Sequence, residues 1–386
     1  MYRTKTTPAL LLSVSLFAAG TAGAATIGDT DVKYSGYIKA DAASSYYSDG
    51  TLASGTLGRD FYIPSLTPVG GSSEGAQFDS NLRQSRFRFA TTTAVSETEK
   101  ITGVLEFDFL VSTGGNERIS NSYEPRLRHA YIGYKNFLIG QTWTTFMDTS
   151  ALPESMDFIG NTDGITFARQ AMVRYTSGPW QFAVENPEST ITPFGGGGRI
   201  VADDNATPDL VAAYTHKADW GYVKVAGLIR QLSFDNGADI KSTESSVGIS
   251  VTGKFKVAGE DDIRVSLITG KGLGRYAALN AANGGVLNEN GNIEAIDSIG
   301  YAIAYRHVWT DKWRSNLIFS AFNADNDTSL TGTGVTKKSM STRINLVYQL
   351  FPSMMIGGEY AFAKREIESG ADGNMNRLQF SVKYSF

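Results

Sequence analysis

The chain has 386 residues, no cysteine and a formal charge of −4 at pH 7. Without cysteine it can form neither a disulfide framework nor a thiolate metal site. The mild acidity argues against a general nucleic-acid-binding protein, which would carry a basic stripe.

The first 24 residues have the pattern of a secretory signal peptide. Arg3 and Lys5 precede a short apolar run over residues 9–20, and residues 22–24 form a small-residue cleavage site, Ala-Gly-Ala. The apolar run is shorter than the roughly 20 residues that a membrane-spanning helix needs, and no later stretch approaches that length. We therefore predict a signal peptide over residues 1–24 and a single domain over residues 25–386, whose formal charge falls from −4 to −6 because two basic residues are removed.

The rest of the chain repeats one unit, in which a strand of alternating polar and apolar residues alternates with a long polar loop or a short turn. Strands of about 9–11 residues suit the tilted wall of a membrane barrel. The sixteen predicted strands are 32–41, 83–94, 101–110, 125–134, 137–147, 168–176, 180–186, 208–216, 220–232, 244–253, 262–270, 298–309, 313–322, 339–349, 354–365 and 374–386.

The connections between these strands alternate in length. Outer-membrane barrels have short periplasmic turns and longer external loops, and fifteen connections leave both termini on the periplasmic side. We therefore predict an all-β fold, a 16-stranded antiparallel transmembrane β-barrel in the outer membrane of a Gram-negative cell. The short connections are 96–100, 135–136, 177–179, 217–219, 254–261, 310–312 and 350–353, and the long ones are 42–82, 111–124, 148–167, 187–207, 233–243, 271–297, 323–338 and 366–373.

Aromatic residues support this orientation. Trp180, Trp220, Trp309 and Trp313 all flank short turns, as an aromatic girdle at the membrane interface would. The alternative is that tryptophans simply flank turns in any β protein.

The last ten residues alternate strictly and end on Phe386. The apolar positions, such as Phe380 and Val382, are predicted to face lipid, and the polar ones, such as Gln379, to face the channel. We expect this strand to close the barrel by pairing with residues 32–41.

Basic residues in the strands must face the lumen, because a lysine or arginine on the lipid face near the midplane costs about 2–4 kcal/mol. Arginine stays charged and holds carboxylates with paired donors, so these positions predict a path for anions. The alternative is ordinary lumen polarity with local ion pairs to Glu106 and Asp108. The predicted channel-lining residues are Arg86, Arg88, Arg126, Arg128, Arg174, Arg343 and Arg377, of which the first five form an arc on the second, fourth and sixth strands.

The fourth strand leaves one question open. Arg126 and Arg128 share a face, but strict alternation would carry Ala130, Ile132 and Tyr134 inward with them.

The third long connection differs from the other loops in its apolar content, which includes Met156, Phe158 and Ile159. We predict that it folds into the barrel mouth as a constriction, with its acids facing the arginine arc across the pore. The alternative is that it packs against a neighbouring subunit. Its acidic residues are Asp148, Glu154, Asp157 and Asp163.

Residues 127–148 read LRHAYIGYKNFLIGQTWTTFMD. This run, with its GQTWTTFMD core at residues 140–148, resembles the DcaP-like porins, and the resemblance extends over essentially the whole mature chain. It implies a homotrimeric outer-membrane channel that takes up small anions, dicarboxylates in particular, without a cofactor.

The leading hypothesis is therefore a passive or weakly selective diffusion channel for small hydrophilic solutes with a preference for anions. Its expected partners are small anionic solutes, outer-membrane lipid and further copies of the chain, and no nucleic acid. An outer-membrane enzyme and a structural or adhesive barrel are the alternatives. The three histidines, His129, His216 and His307, lie on separate strands and no serine sits in a nucleophile elbow, which argues against an enzyme.

Overall fold

The structure is a computed structural model that describes residues 23–111 and 120–386. Nearly all of the predicted signal peptide lies outside these residues, so its cleavage stays a prediction. Sixteen antiparallel strands form the barrel wall. They are β1 (Thr30–Tyr47), β2 (Arg86–Ala94), β3 (Lys100–Asp108), β4 (Arg126–Tyr134), β5 (Phe137–Trp143), β6 (Arg169–Ser177), β7 (Trp180–Glu185), β8 (Asp209–Ala218), β9 (Gly221–Asp235), β10 (Lys241–Lys256), β11 (Asp262–Lys271), β12 (Asp297–Val308), β13 (Trp313–Asp325), β14 (Thr336–Phe351), β15 (Met354–Ile367) and β16 (Asp372–Ser385).

The first and last strands close the barrel. β16 pairs with β1 from Ser385 opposite Tyr37 to Met375 opposite Tyr47. Phe386 continues the ladder, since its backbone N–H donates to Gly36 at 3.1 Å and its carbonyl accepts from the Gly36 N–H at 2.9 Å. The predicted closure, strand number and antiparallel architecture are therefore confirmed.

The other edge of β1 is covered in two parts. β2 pairs with residues 30–37, and a short strand, Gln77–Asn81, pairs with residues 41–45. The predicted second strand began at residue 83, but the chain turns there, with the Ser85 N–H donating to the Leu82 carbonyl at 2.9 Å. A further short strand, Gly23–Ile27, pairs with the start of β1 and was not predicted.

Two connections that we predicted to be long are short. β9 and β10 run for 15 and 16 residues and are joined through residues 236–240 only. β15 and β16 are joined through residues 368–371. In both hairpins the backbone ladder continues through the polar residues at the strand ends, because pairing with the neighbouring strand satisfies the backbone groups whatever the side chains are.

A β-bulge in β4 settles which residues of this strand face inward, the question that the sequence left open. Glu106 of β3 lies opposite His129, and the next β3 residue lies opposite Leu127, so Arg128 is an extra residue in the ladder. One extra residue shifts the alternation by one position. Arg128 consequently lies buried inside, while Ile132 is exposed on the outer surface.

Smaller elements occupy the connections. A second sheet contains Ser189–Thr192, Ile200–Ala202, Gly285–Leu287 and Ile293–Ala295. In the described part of the chain the helices are Leu57–Asp60 and Thr328–Thr331, and the 3₁₀ turns are Pro64–Leu66, Thr149–Ala151, Thr162–Gly164 and Gly274–Tyr276. No helix within residues 23–111 and 120–386 is long and apolar enough to cross a membrane.

The four tryptophans named above are exposed beside the short turns. Three of them contact aromatic rings on adjacent strands: the ring centroids lie 4.7 Å apart for Trp180 and Tyr214, 5.5 Å for Trp220 and Phe255, and 4.5 Å for Trp313 and Tyr348. This is the arrangement expected of an aromatic girdle at the short-turn end of the barrel.

Candidate channel constriction

The third long connection, residues 144–168, folds into the barrel and is termed the constriction loop. Lys39 of β1 donates from Nζ to the Met156 carbonyl at 2.6 Å. Lys224 of β9 donates from Nζ to the Met147 carbonyl at 2.7 Å. β1 and β9 lie eight strands apart in a sixteen-stranded wall, so the loop crosses the lumen from one side to the other. The predicted inward fold is confirmed.

The acids of the constriction loop bond to the barrel wall. Glu154 accepts two hydrogen bonds of 2.6 Å from Arg314 of β13. Asp157 lies 2.8 Å from Arg343 of β14. The prediction that these acids face the arginine arc was wrong. Glu154 and Asp157 bond to β13 and β14 instead, because a buried carboxylate is stabilised by direct contact with a donor rather than by a charge across water.

Asp148 also bonds to the wall. Its carboxylate accepts from the Tyr222 hydroxyl of β9 at 2.8 Å and from the Thr252 hydroxyl of β10 at 2.9 Å. The backbone N–H of Ser150 supplies a third bond at 2.9 Å. Asp148 therefore anchors the start of the loop through neutral donors.

Asp163 is the most enclosed of the four acids, with no exposed surface. Its carboxylate accepts hydrogen bonds from four hydroxyls, which we term the hydroxyl cage: Tyr62 at 2.8 Å, Ser320 at 2.9 Å, Ser339 at 2.6 Å and Ser341 at 2.5 Å. Hydrogen bonds to a charged acceptor are the strong ones, so the cage holds the end of the loop against β13 and β14.

The first long connection, residues 48–85, enters the barrel as well, which the sequence analysis missed. Tyr62 is buried, and its ring lies 5.2 Å from the Arg343 guanidinium. Burial and the neighbouring Asp163 carboxylate raise the pKa of Tyr62 well above its usual value, so its hydroxyl stays a donor. Phe61 packs edge-on against Phe158, with ring centroids 5.3 Å apart. The only sequence feature that could have indicated this inward fold was the cluster of large apolar residues at 61–66.

The sixth long connection, residues 272–296, reaches the same region. The backbone N–H of Ala278 donates to the Ile165 carbonyl of the constriction loop at 3.1 Å. Tyr276 is fully buried and donates to Asp209 of β8 at 2.8 Å. Burial and the charge of Asp209 raise the pKa of Tyr276 above its ordinary value. Three long connections therefore meet inside the lumen.

Most of the arginine arc is paired with acids on the strand between. Arg126 holds Asp108 with two hydrogen bonds, 2.8 and 2.7 Å long. Arg128 lies 2.9 Å from Glu106 and 2.7 Å from Asp108, and Arg86 lies 3.4 Å from Glu106. Local ion pairing, the alternative that the sequence left open, therefore describes these three arginines.

The other predicted channel-lining arginines fall into two groups. Arg88 is exposed in the lumen, and Arg174 donates to the Thr145 hydroxyl at 2.7 Å and to the Trp143 carbonyl. Neither has a carboxylate partner within the described residues. Arg343 and Arg377, by contrast, are each 1% exposed and offer almost no surface to a solute. They hold the loops in place.

Arg169 is an arginine that the sequence analysis missed. Its guanidinium lies 4.3 Å from the Trp143 ring centroid and 5.9 Å from that of Phe167. Alternation along β6 places residue 169 with the outward-facing Ala171 and Val173, so the rule that identified the other arginines did not select it.

Three further cations on the inner face of the barrel are lysines. Lys217 and Lys224 lie on neighbouring strands, and Lys383 of β16 has its ammonium 5.5 Å from the Tyr37 ring. None of the three forms an ion pair with a carboxylate in the part of the chain that the structure describes.

The ion pair between Glu154 and Arg314 should make the constriction sensitive to strong acid. Burial alone would raise the pKa of Glu154, but the hydrogen bonds and charge of Arg314 outweigh it and the pKa is lowered from its usual 4.5. Because the pKa of Glu154 is lower in the folded protein than in the unfolded chain, its ionised carboxylate stabilises the fold fully above pH 4.5. This stabilisation is lost as the pH falls through the pKa of Glu154 in the folded protein. We expect a constant single-channel conductance from about pH 7 to about pH 5 and a change at lower pH. Glu154→Gln should remove this change of conductance at low pH. If the conductance of that variant still changes at low pH as in the wild-type protein, the ion pair of Glu154 is not its cause.

A closed sixteen-stranded barrel with a loop folded across its lumen is the architecture of outer-membrane porins. The family model described as DcaP outer membrane protein matches residues 9–386. The chain therefore belongs to the DcaP outer membrane protein family, as the run at residues 127–148 predicted, and is located in the outer membrane.

Solved structures share the fold. The outer membrane channel DcaP of Acinetobacter baumannii has a TM-score of 0.76 at 22% identity, covering 94% of this chain and 99% of that chain. The anion-selective porin from Comamonas acidovorans has a TM-score of 0.58 at 11% identity, covering 92% and 100%. OmpT of Vibrio cholerae in its trimer form has a TM-score of 0.54 at 14% identity, covering 92% and 99%. No curated protein matches the sequence.

Proposed function

We propose that this protein is a diffusion channel for small hydrophilic solutes with a preference for anions such as dicarboxylates. The observation that carries the proposal is an imbalance of free charge. The acids of the constriction loop are all bonded to the wall, whereas Arg88, Arg174, Lys217 and Lys224 face the lumen without a carboxylate partner among the described residues. Unpaired basic side chains in a narrow lumen replace part of the hydration shell of a permeating anion and repel permeating cations.

The predicted site residues divide by role in this proposal. Arg88 and Arg174 contact the solute, and Arg86 and Arg126, half-buried and paired with acids, set the local potential. Arg128, Arg343 and Arg377 act as structural supports. No step requires a cofactor or an energy source, because weak binding allows release on the far side.

The family and fold support this function. The solved DcaP relative is an outer membrane channel, and the Comamonas acidovorans porin is anion-selective. We also propose a homotrimer, in line with the trimer form of the OmpT structure. Detergent gels run with and without heating test the assembly, and a monomer under mild extraction counts against it.

Reversal potentials in planar bilayers test the anion preference. Under a KCl gradient the potential should lie towards the chloride equilibrium value, and Arg88→Glu should shift it towards the potassium value, because the substitution reverses a charge in the lumen. Lys312→Glu is the matched control, since Lys312 lies exposed in a short turn. A cation preference in the wild-type protein would refute the proposal.

A further inference from the structure

The sixth long connection contains a short segment of strained backbone. Ala278, Leu279 and Asn280 have φ values of 48°, 54° and 59°, in the left-handed region. Residues other than glycine fit this region poorly, because the Cβ atom lies too close to the carbonyl oxygen that follows. They visit it as single residues and not in runs. Such strain persists only where surrounding contacts hold it, and it clusters at functional sites and switch segments.

The contacts that hold this segment reach across the lumen. The Ala278 N–H donates to the Ile165 carbonyl of the constriction loop at 3.1 Å. The half-buried side chain of Leu279 packs against an apolar cluster that includes Phe61 of the first connection and Leu110, just beyond the end of β3. In the sixteen-stranded wall, β3 lies eight strands from β11, which precedes the sixth connection. The segment therefore bridges the lumen between opposite walls.

The two ends of the connection are firmly anchored, whereas the tip between them is not. Tyr276 is fully buried, and Gly285–Leu287 pairs with Ser189–Thr192 in the second sheet. The tip, residues 277–284, contains four alanines and a single large apolar side chain, that of Leu279. Small side chains bury little apolar surface and contribute little free energy of docking. The tip can thus leave its position while both of its ends stay in place.

Hydrogen bonds from the fourth connection complete the contacts of the tip. The Arg199 guanidinium donates to the Asn280 carbonyl at 2.6 Å and to Asn283 Oδ1 at 2.5 Å. Both bonds lie on the exposed side of the tip, where water replaces a lost partner at small net cost. The position of the tip therefore depends mainly on the Leu279 contact and on the backbone strain, which act in opposite directions.

We propose that residues 277–284 form a gate inside the channel and that the structure shows it closed. Burial of Leu279 favours the closed position. The left-handed backbone favours the open position, in which residues 278–280 return to an unstrained conformation. Opposing contributions of this kind bring two positions close in free energy, so that both are populated. The gate rests on the proposed function only in that ions cross the lumen, and it does not depend on which ions are preferred.

Single-channel recordings test the gate through two substitutions with opposite effects. The wild-type channel should switch between a smaller and a larger conductance. Leu279→Ala removes the apolar contact and should raise the ratio of open to closed time about tenfold. Ala278→Gly relieves strain in the closed position, because glycine adopts the left-handed region as readily as the right-handed one. It should lower the same ratio about fivefold.

Matched variants accompany both substitutions. Ala277→Gly removes a methyl group from the neighbouring buried position, where φ is −123° and no left-handed strain exists to be relieved. This variant should leave the ratio unchanged or raise it. Leu279→Met keeps an apolar side chain of similar size and should switch as the wild-type channel does.

A thiol probe reports the open gate in the folded channel. The chain has no cysteine, so Leu279→Cys introduces a single reactive site. A charged, water-soluble methanethiosulfonate reagent should react while the gate is open. It should then hold the channel at the larger conductance, because the charged product does not return to an apolar cluster. Adding Ala278→Gly to this variant should slow the reaction about fivefold, whereas a purely structural role of Ala278 would change only the Tm.

The same bilayers distinguish failure of the gate from failure of the proposed function. A single conductance level in the wild-type protein, an unchanged ratio in Leu279→Ala, or equal effects of Ala278→Gly and Ala277→Gly would each overturn the gate. An anion-directed reversal potential in a channel of constant conductance would overturn the gate and leave the channel function standing. Two-level switching in a channel that prefers cations would do the reverse.

Discussion

Replacement of Arg343 by methionine should destabilise the barrel by about 3–5 kcal/mol and free the constriction loop. Arg343 is fully buried, 2.8 Å from Asp157 and 3.4 Å from Glu359, and donates to the Gly160 carbonyl at 2.6 Å. Methionine fills much of the volume but leaves two buried carboxylates without a cation. Thermal unfolding in detergent should show a lower Tm, and single-channel recordings should show larger and noisier currents.

Arg306→Met is the matched control for this variant. Arg306 faces the lumen from β12, has a quarter of its side chain exposed and lies 3.5 Å from Asp262. A partly exposed ion pair contributes about 0–1 kcal/mol, so its loss should change the Tm little. Neutralising both acids together with Arg343, through Asp157→Asn and Glu359→Gln, should restore part of the lost stability. Wild-type Tm and conductance in Arg343→Met would show that the ion pair does not hold the loop.

Asp163→Ala should have the second large effect, a loss of about 3 kcal/mol, because the hydroxyl cage loses its shared acceptor. Part of the loss is recovered where Ser320 and Ser341, already 3.0 Å apart, bond to each other. Since Tyr62 links the first connection to the constriction loop through this carboxylate, both segments should become mobile. Amide hydrogen exchange should show faster exchange in residues 57–66 and 157–165, with a lower Tm.

Two further variants serve as a control and an intermediate case for the effect of Asp163→Ala on the hydroxyl cage. Asp203→Ala removes an exposed acid and should leave both exchange and Tm unchanged. Asp163→Asn keeps one acceptor oxygen and should fall between the wild-type protein and Asp163→Ala. If hydrogen exchange in the first connection does not respond to Asp163→Ala, the link through Tyr62 does not couple the two segments.

The wall of the barrel was largely predictable from the sequence. Alternation of polar and apolar residues is a local property of a strand, so it identified both faces of β16 and the inward direction of Arg86, Arg174 and Arg343. Alternation placed Arg128 inward correctly but failed beyond it, where Ile132 faces outward, and it did not select Arg169. A bulge adds one residue to the ladder at Arg128, and no short window of sequence shows which strand will carry it.

The pairing of charges was less predictable. The sequence indicated that basic residues face the lumen, but not which of them would be neutralised. Arg126 and Asp108 are 18 residues apart in the chain and meet only because of the register between β3 and β4. Arg343 and Asp157 meet because a loop returns across the barrel.

By itself, the sequence determined the barrel, its strand number, its closing strand and its family, because the period-two pattern and the lengths of the connections are local features of the sequence. Only the tertiary structure decided which cations stay free in the lumen. That outcome depends on contacts between residues far apart in the chain, such as Tyr62 with Asp163 and Lys224 with Met147. Such contacts form where loops fold back to satisfy buried polar groups, and alternation carries no information about them.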